Sequence, residues 1–336
     1  MTLQLQTNVW GPNRPSILPW SSFNYEQDAK DLHEAILGLE SCDNKIVNIL
    51  AKRTVSQRKE IAASYQTQFE KTLEEDLAQS LPDSLQNVAL SSLKSVPELK
   101  AYALHKAMKG IGTIEQVLIQ ILAVASNNEI QQIKEAYTRV FNRDLEADVS
   151  IKTNLEFQRL MLFLLKAGRN EDLIVDGARV VNDAFMINKF GRRIYGNAER
   201  IVGNILTTRS FGHIKILAYY YKKTYGKMIN KYIIDELSGN YCRTLLSTVM
   251  YAEHPTELYA SWIYDAIKAR GPNNDDLIRL ILSRAEIDLQ NIKEAYERMS
   301  EKTLIEDIEE ATSGEYKNML VALIKGNFEE LQDRKN

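Results

Sequence analysis

The stretch ILAVASNNEIQQIKEAY (121–137) decides the fold, because the same pattern of residues occurs at three other places in the chain. The matching segments are ILAKRTVSQRKEIAASY (49–65), ILTTRSFGHIKILAYYY (205–221) and LILSRAEIDLQNIKEAY (280–296). Successive copies begin 72, 84 and 75 residues apart. A second landmark repeats at the same distances and consists of Asp76, Asp148, Tyr232 and Asp307. Two independent landmarks with equal spacings indicate a fourfold internal repeat.

Each copy carries apolar residues at helical spacing. In the second copy they form one stripe of Val117, Leu118, Ile121, Leu122 and Ala125. Thr113 and Gln116 match a capping box, so a helix is predicted to begin directly after KAMKGIGT (106–113). We predict an all-α chain with four or five short helices per copy. A unit of about 70 residues is marginal alone, so the four are expected to pack into one body.

The chain divides into an N-terminal arm and four repeats. The predicted boundaries are residues 1–27, 28–95, 96–167, 168–253 and 254–336, the last including a short C-terminal tail. The extra segment AGRNEDLIVDGA (167–178) is interpreted as a linker between two halves. The arm contains Pro12, Pro15, Pro19, Trp10 and Trp20, which predict extended backbone. It is interpreted as a strap along the core or, alternatively, as a regulatory arm that binds a protein partner.

The composition narrows the function classes. A formal net charge of −3 argues against nucleic acid, which needs a basic face, and means that an anionic membrane attracts this chain only through an added cation. We find no apolar run of membrane-spanning length and no signal-peptide pattern, so the cytoplasm is the expected compartment, with export by another route left open. Cys42 and Cys242 are interpreted as reduced packing residues.

The repeats resemble the annexin family over residues 28–326. The strongest matches are KAMKGIGT (106–113) in copy two and ATSGEYKNMLVALI (311–324) in copy four. The resemblance implies an all-α fold of four annexin-type repeats, each of about five helices, packed into one curved disc. It also implies that the convex face binds calcium and, through calcium, anionic phospholipid.

The third copy offers the best cation site. Its loop FGRRIYGN (190–197) is followed by Glu236, 39 residues beyond Asn197. Calcium takes six to eight oxygens from carbonyls, carboxylates and water, and a glycine loop turns several carbonyls inward. The resemblance places the carbonyls of Gly191, Ile194 and Gly196 around the ion, with Glu236 as the bidentate ligand.

The second copy has the cleanest loop, formed by Met108, Lys109, Gly110, Ile111, Gly112 and Thr113. The residue 39 positions beyond Thr113 is Lys152, however, and a cationic side chain there removes the anionic ligand and repels the ion. A weaker calcium site that uses the Thr113 carbonyl and Glu115 is the alternative in this copy.

The other two copies are eroded. In copy one Glu40 replaces a glycine and Ser80 holds the carboxylate position. In copy four the corresponding changes are Ala269, Pro272 and Ala311, with Glu310 and Glu315 as neighbours that an improvised, low-affinity site would use. A high calcium requirement is therefore expected.

The leading prediction is calcium-dependent, peripheral binding to anionic phospholipid membranes. The alternative is a scaffold for cytoskeletal or other protein partners, which the loss of the carboxylate in three of four copies keeps open. We find no phosphate loop, zinc-protease motif, EF-hand or nucleophile motif, so no enzyme is predicted. The four histidines are interpreted as surface or core residues, and the repeated arginines and aspartates as buried salt bridges between helices.

Overall fold

The structure is a computed structural model that describes residues 2–4, 12–38, 42–110, 112–190, 198–269 and 271–328. Within these residues it contains twenty α-helices and one two-stranded sheet. Five helices fall in each repeat. The all-α class and the fourfold repeat of about five helices each are therefore confirmed.

The helices follow one another in the same order in each repeat. Repeat 1 contains α1 to α5, at Tyr25–Ile36, Cys42–Lys52, Val55–Phe69, Leu73–Ser80 and Asp83–Ser92. Repeat 2 contains α6 to α10, at Val96–Met108, Glu115–Leu122, Asn127–Phe141, Leu145–Lys152 and Leu155–Leu165. Repeat 3 contains α11 to α15, at Gly177–Phe190, Ala198–Thr208, Phe211–Tyr225, Ile229–Glu236 and Gly239–Glu253. Repeat 4 contains α16 to α20, at Pro255–Lys268, Asn274–Ala285, Leu289–Ser300, Leu304–Ala311 and Gly314–Lys325.

The predicted capping box at Thr113 is wrong. Helix α7 begins at Glu115 with Ile114 as its N-cap, and no side chain caps it. The Thr113 hydroxyl instead donates to the backbone carbonyl of Lys152, at 2.7 Å. The hydroxyl that the motif assigns to the helix start therefore binds a carbonyl 39 residues further along the chain.

The chain forms two compact units. One comprises Met1–Pro12 and Lys100–Leu258, and therefore holds repeats 2 and 3. Its described core includes fully buried side chains from both repeats, such as Leu118, Tyr137, Met161, Ile187 and Leu217. The other unit comprises Asn13–Leu99 and Tyr259–Asn336, with repeats 1 and 4.

The sequence predicts that the segment 167–178 links two halves of the chain. In the structure it instead lies within the unit that holds repeats 2 and 3. Arg169 is buried there, and its guanidinium donates to the carbonyls of Leu206 and Arg209, both at 2.8 Å. Further along, strand β2 (Ile174–Asp176) pairs antiparallel with strand β1 (Thr2–Gln4). The segment is thus a structural part of repeat 3.

The described part of the N-terminal arm beyond Pro12 lies along the second unit, as the strap interpretation predicts. Ser16 and Ile17 are buried, and both backbone amides donate to the Ala285 carbonyl. The side chain of Asn327, itself buried, holds Leu18 through two hydrogen bonds of 2.7 Å. Trp10 lies outside the described residues, as does the rest of the arm around it.

The repeated acidic and basic residues form ion pairs, as predicted. Arg53 pairs with Asp28 and Arg209 with Asp183, each at 2.7 Å, and Arg284 pairs with Asp288 at 2.6 Å. The aspartates of the second landmark pair with other cations and also accept hydrogen bonds from buried tyrosines. These tyrosine–aspartate pairs are Tyr65–Asp76, Tyr137–Asp148 and Tyr296–Asp307. Both landmarks therefore serve packing inside the repeat.

Candidate metal centres

The four predicted carboxylate positions are structurally equivalent. Each is the last residue of the fourth helix in its repeat, and the residue that follows each has extended backbone. These corner positions are Ser80, Lys152, Glu236 and Ala311. We call the place where a corner meets the loop between the first two helices of its repeat the junction of that repeat.

The loop of repeat 2 depends on glycine. Gly110 and Gly112 have φ angles of +89° and +88°, a region that residues with a Cβ rarely adopt. The loop is closed by a hydrogen bond from the Ile114 amide to the Ala107 carbonyl, at 2.9 Å. Repeat 4 closes its loop with the equivalent bond, from Asn273 to Ala266, also at 2.9 Å. The two loops therefore share one backbone design despite their different sequences.

In repeat 2 the loop and the corner are in contact. The Thr113 hydroxyl donates to the Lys152 carbonyl, and the Lys152 ammonium donates to the Gly110 carbonyl at 2.8 Å. The 39-residue spacing thus brings the two segments together. Met108 is buried and Glu115 is half-buried at the start of α7. Their role as calcium ligands, with Gly110, Gly112 and Thr113, stays a prediction.

In repeat 3 the structure describes the corner but not the loop. Gly191, Ile194 and Gly196 lie outside the described residues. Glu236 ends α14 and is partly exposed. Close to this corner, the Tyr241 hydroxyl on α15 donates to the carbonyl of Glu199 at 2.6 Å, near the start of α12. The helix that follows the loop is therefore tied to the helix that follows the corner.

The hydroxyl that makes this tie is held in its protonated form. Burial, together with the charges of Glu199 and Glu156, raises the pKa of Tyr241. The protein leaves room for the hydroxyl by placing Gly203 opposite it on α12. A Cβ on Gly203 would lie 1.9 Å from the Tyr241 oxygen, so only glycine fits there unless the tyrosine moves.

The junctions of repeats 1 and 4 lack a carboxylate at the corner. The improvised ligands predicted for repeat 4 are engaged elsewhere. Both Glu310 oxygens accept from the Lys302 ammonium, at 2.7 and 2.8 Å. A Glu315 oxygen accepts from the side-chain amide of Asn318 at 3.1 Å. In repeat 1, Gly38 has a φ of +76°, and residues 39–41 lie outside the described residues.

The donor sets decide which junction suits calcium. Calcium requires oxygen ligands and gains most from a carboxylate, which only the corner of repeat 3 supplies. At the corner of repeat 2 an ammonium already occupies the carbonyl that would face the ion. Among the four corners, the one in repeat 3 therefore carries the donor type that calcium prefers, whereas the corner of repeat 2 carries a cation.

Sequence reasoning missed three exposed apolar residues at the junction of repeat 2, namely Ile114, Ile151 and Leu155. Leu155 also has a φ of +51°. The signal was present in the repeat itself, because the positions equivalent to Leu155 in repeats 3 and 4 are Gly239 and Gly314. An aligned leucine among glycines marks an unusual backbone position.

These features define a class of protein, an all-α chain of four five-helix repeats in which, in repeat 2, a glycine loop contacts the end of the fourth helix. The Annexin family model matches all four repeats, at residues 27–91, 100–164, 195–248 and 259–323. The chain belongs to the annexin family. In the described residues we find no helix that is both long and apolar enough to cross a membrane.

Individual relatives agree along nearly the whole chain. Annexin A13 of Homo sapiens is 35% identical over 302 residues, covering 90% of this chain and 96% of the relative. The solved structure of annexin III superposes with a TM-score of 0.90 at 30% identity, covering 95% of this chain and 99% of that one. A structure described as calcium-bound annexin (Sm)1 has a TM-score of 0.85 at 29% identity, covering 93% of each chain.

Proposed function

We propose that this chain binds anionic phospholipid membranes peripherally and in a calcium-dependent manner, without catalysis, and that the junction of repeat 3 is its principal calcium site. One observation carries the proposal. Glu236 occupies the corner position from which, in repeat 2, the side chain of Lys152 reaches the loop carbonyl of Gly110. From this equivalence we infer that the carboxylate of Glu236 serves the loop of repeat 3.

The lengths of the two side chains favour an ion between corner and loop in repeat 3. The Lys152 ammonium contacts the Gly110 carbonyl directly, at 2.8 Å. A glutamate side chain is shorter, and calcium lies about 2.3–2.6 Å from each oxygen that it binds. We therefore propose that a single calcium ion bridges the Glu236 carboxylate and the loop carbonyls. By the repeat spacing, Ile194 is the counterpart of Gly110, so its carbonyl would be one ligand, with those of Gly191 and Gly196 beside it.

Calcium also explains how an acidic chain would reach an anionic surface. With a net charge of −3 the chain gains little from the negative potential of the membrane. A calcium ion held by Glu236 and backbone carbonyls keeps ligand positions for water, which a lipid phosphate replaces. The ion is then the bridge, and membrane binding depends on calcium. With one corner carboxylate among four repeats, the required calcium concentration is high.

The deciding experiment is sedimentation with phosphatidylserine vesicles across a calcium titration. Glu236→Gln keeps the shape of the side chain and removes its charge, and we expect at least a tenfold rise in the calcium needed for half-maximal binding, because the number of charged ligands sets the calcium affinity of a site. Asp235→Asn is the matched control. It removes the same charge one residue earlier, where the carboxylate is bonded to Lys231 at 2.6 Å.

A competing proposal is a scaffold that binds protein partners with little calcium-dependent membrane binding. It is favoured by the corner residues Ser80, Lys152 and Ala311, which cannot supply a carboxylate. Vesicle binding that ignores calcium, or none at millimolar calcium, would support the scaffold. A protein partner on the N-terminal arm and a cytoplasmic, membrane-associated location belong to the same set of proposals. The arm proposal is supported by its prolines and tryptophans, and the location by the sequence pattern together with the resemblance.

A further inference from the structure

The junction of repeat 2 exposes three large apolar side chains. Ile114, Ile151 and Leu155 are 57%, 74% and 80% exposed. They flank the two hydrogen bonds that join the loop to the corner, because Ile114 follows Thr113 and Ile151 precedes Lys152. Leu155 starts the helix after the corner and lines one cavity with Lys152. The apolar side chains therefore surround a single junction.

The other repeats do not carry apolar bulk at these positions. Their residues, in the same order, are Cys42, Gln79 and Asp83 in repeat 1, Ala198, Asp235 and Gly239 in repeat 3, and Asn273, Glu310 and Gly314 in repeat 4. Packing within a repeat therefore does not demand three large apolar side chains here. They are a feature of repeat 2 in particular.

Leu155 is also held in a strained backbone conformation. Its φ of +51° is left-handed, whereas Gly239 and Gly314 adopt the same region, at +64° and +63°, without a Cβ. The leucine side chain is largely exposed, so burial within the chain offsets little of that strain. Strain that the fold does not use points to a contact made with something else.

The position of the cluster indicates what that contact is. The cavity lined by Lys152 and Leu155 is also lined by Ser238 and Asn240, which follow the Glu236 corner in repeat 3. The corner of repeat 3 therefore borders the junction of repeat 2 within the same unit. A surface that docks on lipid through Glu236 brings the cluster of repeat 2 to the same lipid.

We propose that repeat 2 makes a calcium-free contact with an anionic lipid surface, in which the Lys152 ammonium replaces the ion and Ile114, Ile151 and Leu155 enter the lipid. The assignment of this face to the membrane rests on the function proposed above. The ammonium holds the Gly110 carbonyl in place and repels a divalent cation. Apolar side chains beside a cation are the composition that the interface of an anionic membrane accepts.

The lipid contact is tested by replacing the three residues with types taken from the other repeats, as Ile114→Asn, Ile151→Gln and Leu155→Gly together. At the calcium concentration that binds half of the wild-type chain to phosphatidylserine vesicles, we expect partition to fall about tenfold, because apolar surface no longer enters the lipid. Calcium binding in solution, measured by calorimetry, should stay unchanged.

The matched control is the double variant Leu173→Gln and Met228→Gln. These side chains are 62% and 55% exposed. Met228 precedes the first residue of α14, whereas Glu236 is the last residue of that helix. The double variant should bind vesicles as the wild type does. Undiminished binding by the triple variant would overturn the inference, whereas a Glu236→Gln variant that binds as the wild type does would overturn the proposed calcium site instead.

The role of Lys152 is tested by calorimetry in the Glu236→Gln background, without lipid. Lys152→Glu puts a carboxylate opposite a loop whose glycines already have the required conformation, and we expect one additional calcium site. Lys109→Glu makes the same change of charge on the loop and should add none. If Lys152→Glu adds no site, or if both variants add one, Lys152 does not stand in the position of the ion.

Discussion

The contact between Gly203 and Tyr241 predicts that a single oxygen atom decides whether alanine at position 203 destabilises the protein. A Cβ added at Gly203 would lie 1.9 Å from the Tyr241 hydroxyl oxygen, but 3.1 Å from the ring carbon that carries it. Gly203→Ala should therefore be destabilising in the wild type and tolerated in Tyr241→Phe. The pair reports on the tie that holds the junction of repeat 3.

The magnitudes follow from the geometry. In the wild type, the overlap costs about 1–3 kcal/mol, and alanine returns about 1 kcal/mol through its higher helix propensity within α12. We expect a net loss of up to about 2 kcal/mol in the free energy of unfolding. In Tyr241→Phe the nearest contact is the ring carbon at 3.1 Å, so the ring needs to shift by only a few tenths of an ångström and the same change should be close to neutral. The coupling between the two positions is then up to about 2 kcal/mol.

The assay is urea unfolding of the wild type, both single variants and the double variant. Tyr241→Phe alone should cost about 1 kcal/mol, because the Glu199 carbonyl loses its donor. The two changes lie in one contact, so additive effects would refute the reasoning. So would a stabilising Gly203→Ala in the presence of the tyrosine.

Three further predictions concern stability. Leu155→Gly should raise the free energy of unfolding by about 0.5–1 kcal/mol in urea, because the relief of a left-handed leucine exceeds the added entropy of glycine in the unfolded chain. Asn327→Ala should lower it by about 2–3 kcal/mol and expose the strap to limited proteolysis, since three hydrogen bonds at a buried site are lost. Burial raises the pKa of Asp183, but His213 and Arg209 outweigh it and hold that pKa below its ordinary value. The stability that this aspartate contributes is thus present above its unfolded pKa of about 3.9 and is lost as the pH falls through the lower folded value. In a series of unfolding measurements across pH, Asp183→Asn should therefore reduce the loss of stability in this acidic range.

The repeat register was the most predictable part of the molecule. Helical spacing and two landmarks placed Lys152 and Glu236 at equivalent positions, and both end the fourth helix of their repeat. This worked because a repeat fixes the alignment of every residue once two landmarks agree. The contact between Thr113 and Lys152 then follows from the 39-residue spacing.

Tertiary contacts account for what the sequence did not predict. The Thr113 hydroxyl matched a capping motif locally, yet a carbonyl from a distant corner binds it. The polar composition of segment 167–178 predicts a linker, because nothing in it shows that the buried Arg169 guanidinium donates to two backbone carbonyls. The pairing of repeats 2 and 3 in one unit likewise depends on packing between segments far apart in sequence.

A crystal structure determined in the presence of calcium tests the central claim most directly. The account predicts an ion between the Glu236 carboxylate and the carbonyls of Gly191, Ile194 and Gly196, while the Lys152 ammonium still contacts the Gly110 carbonyl. An empty loop in repeat 3, with the Glu236 side chain directed away from it, would contradict the account.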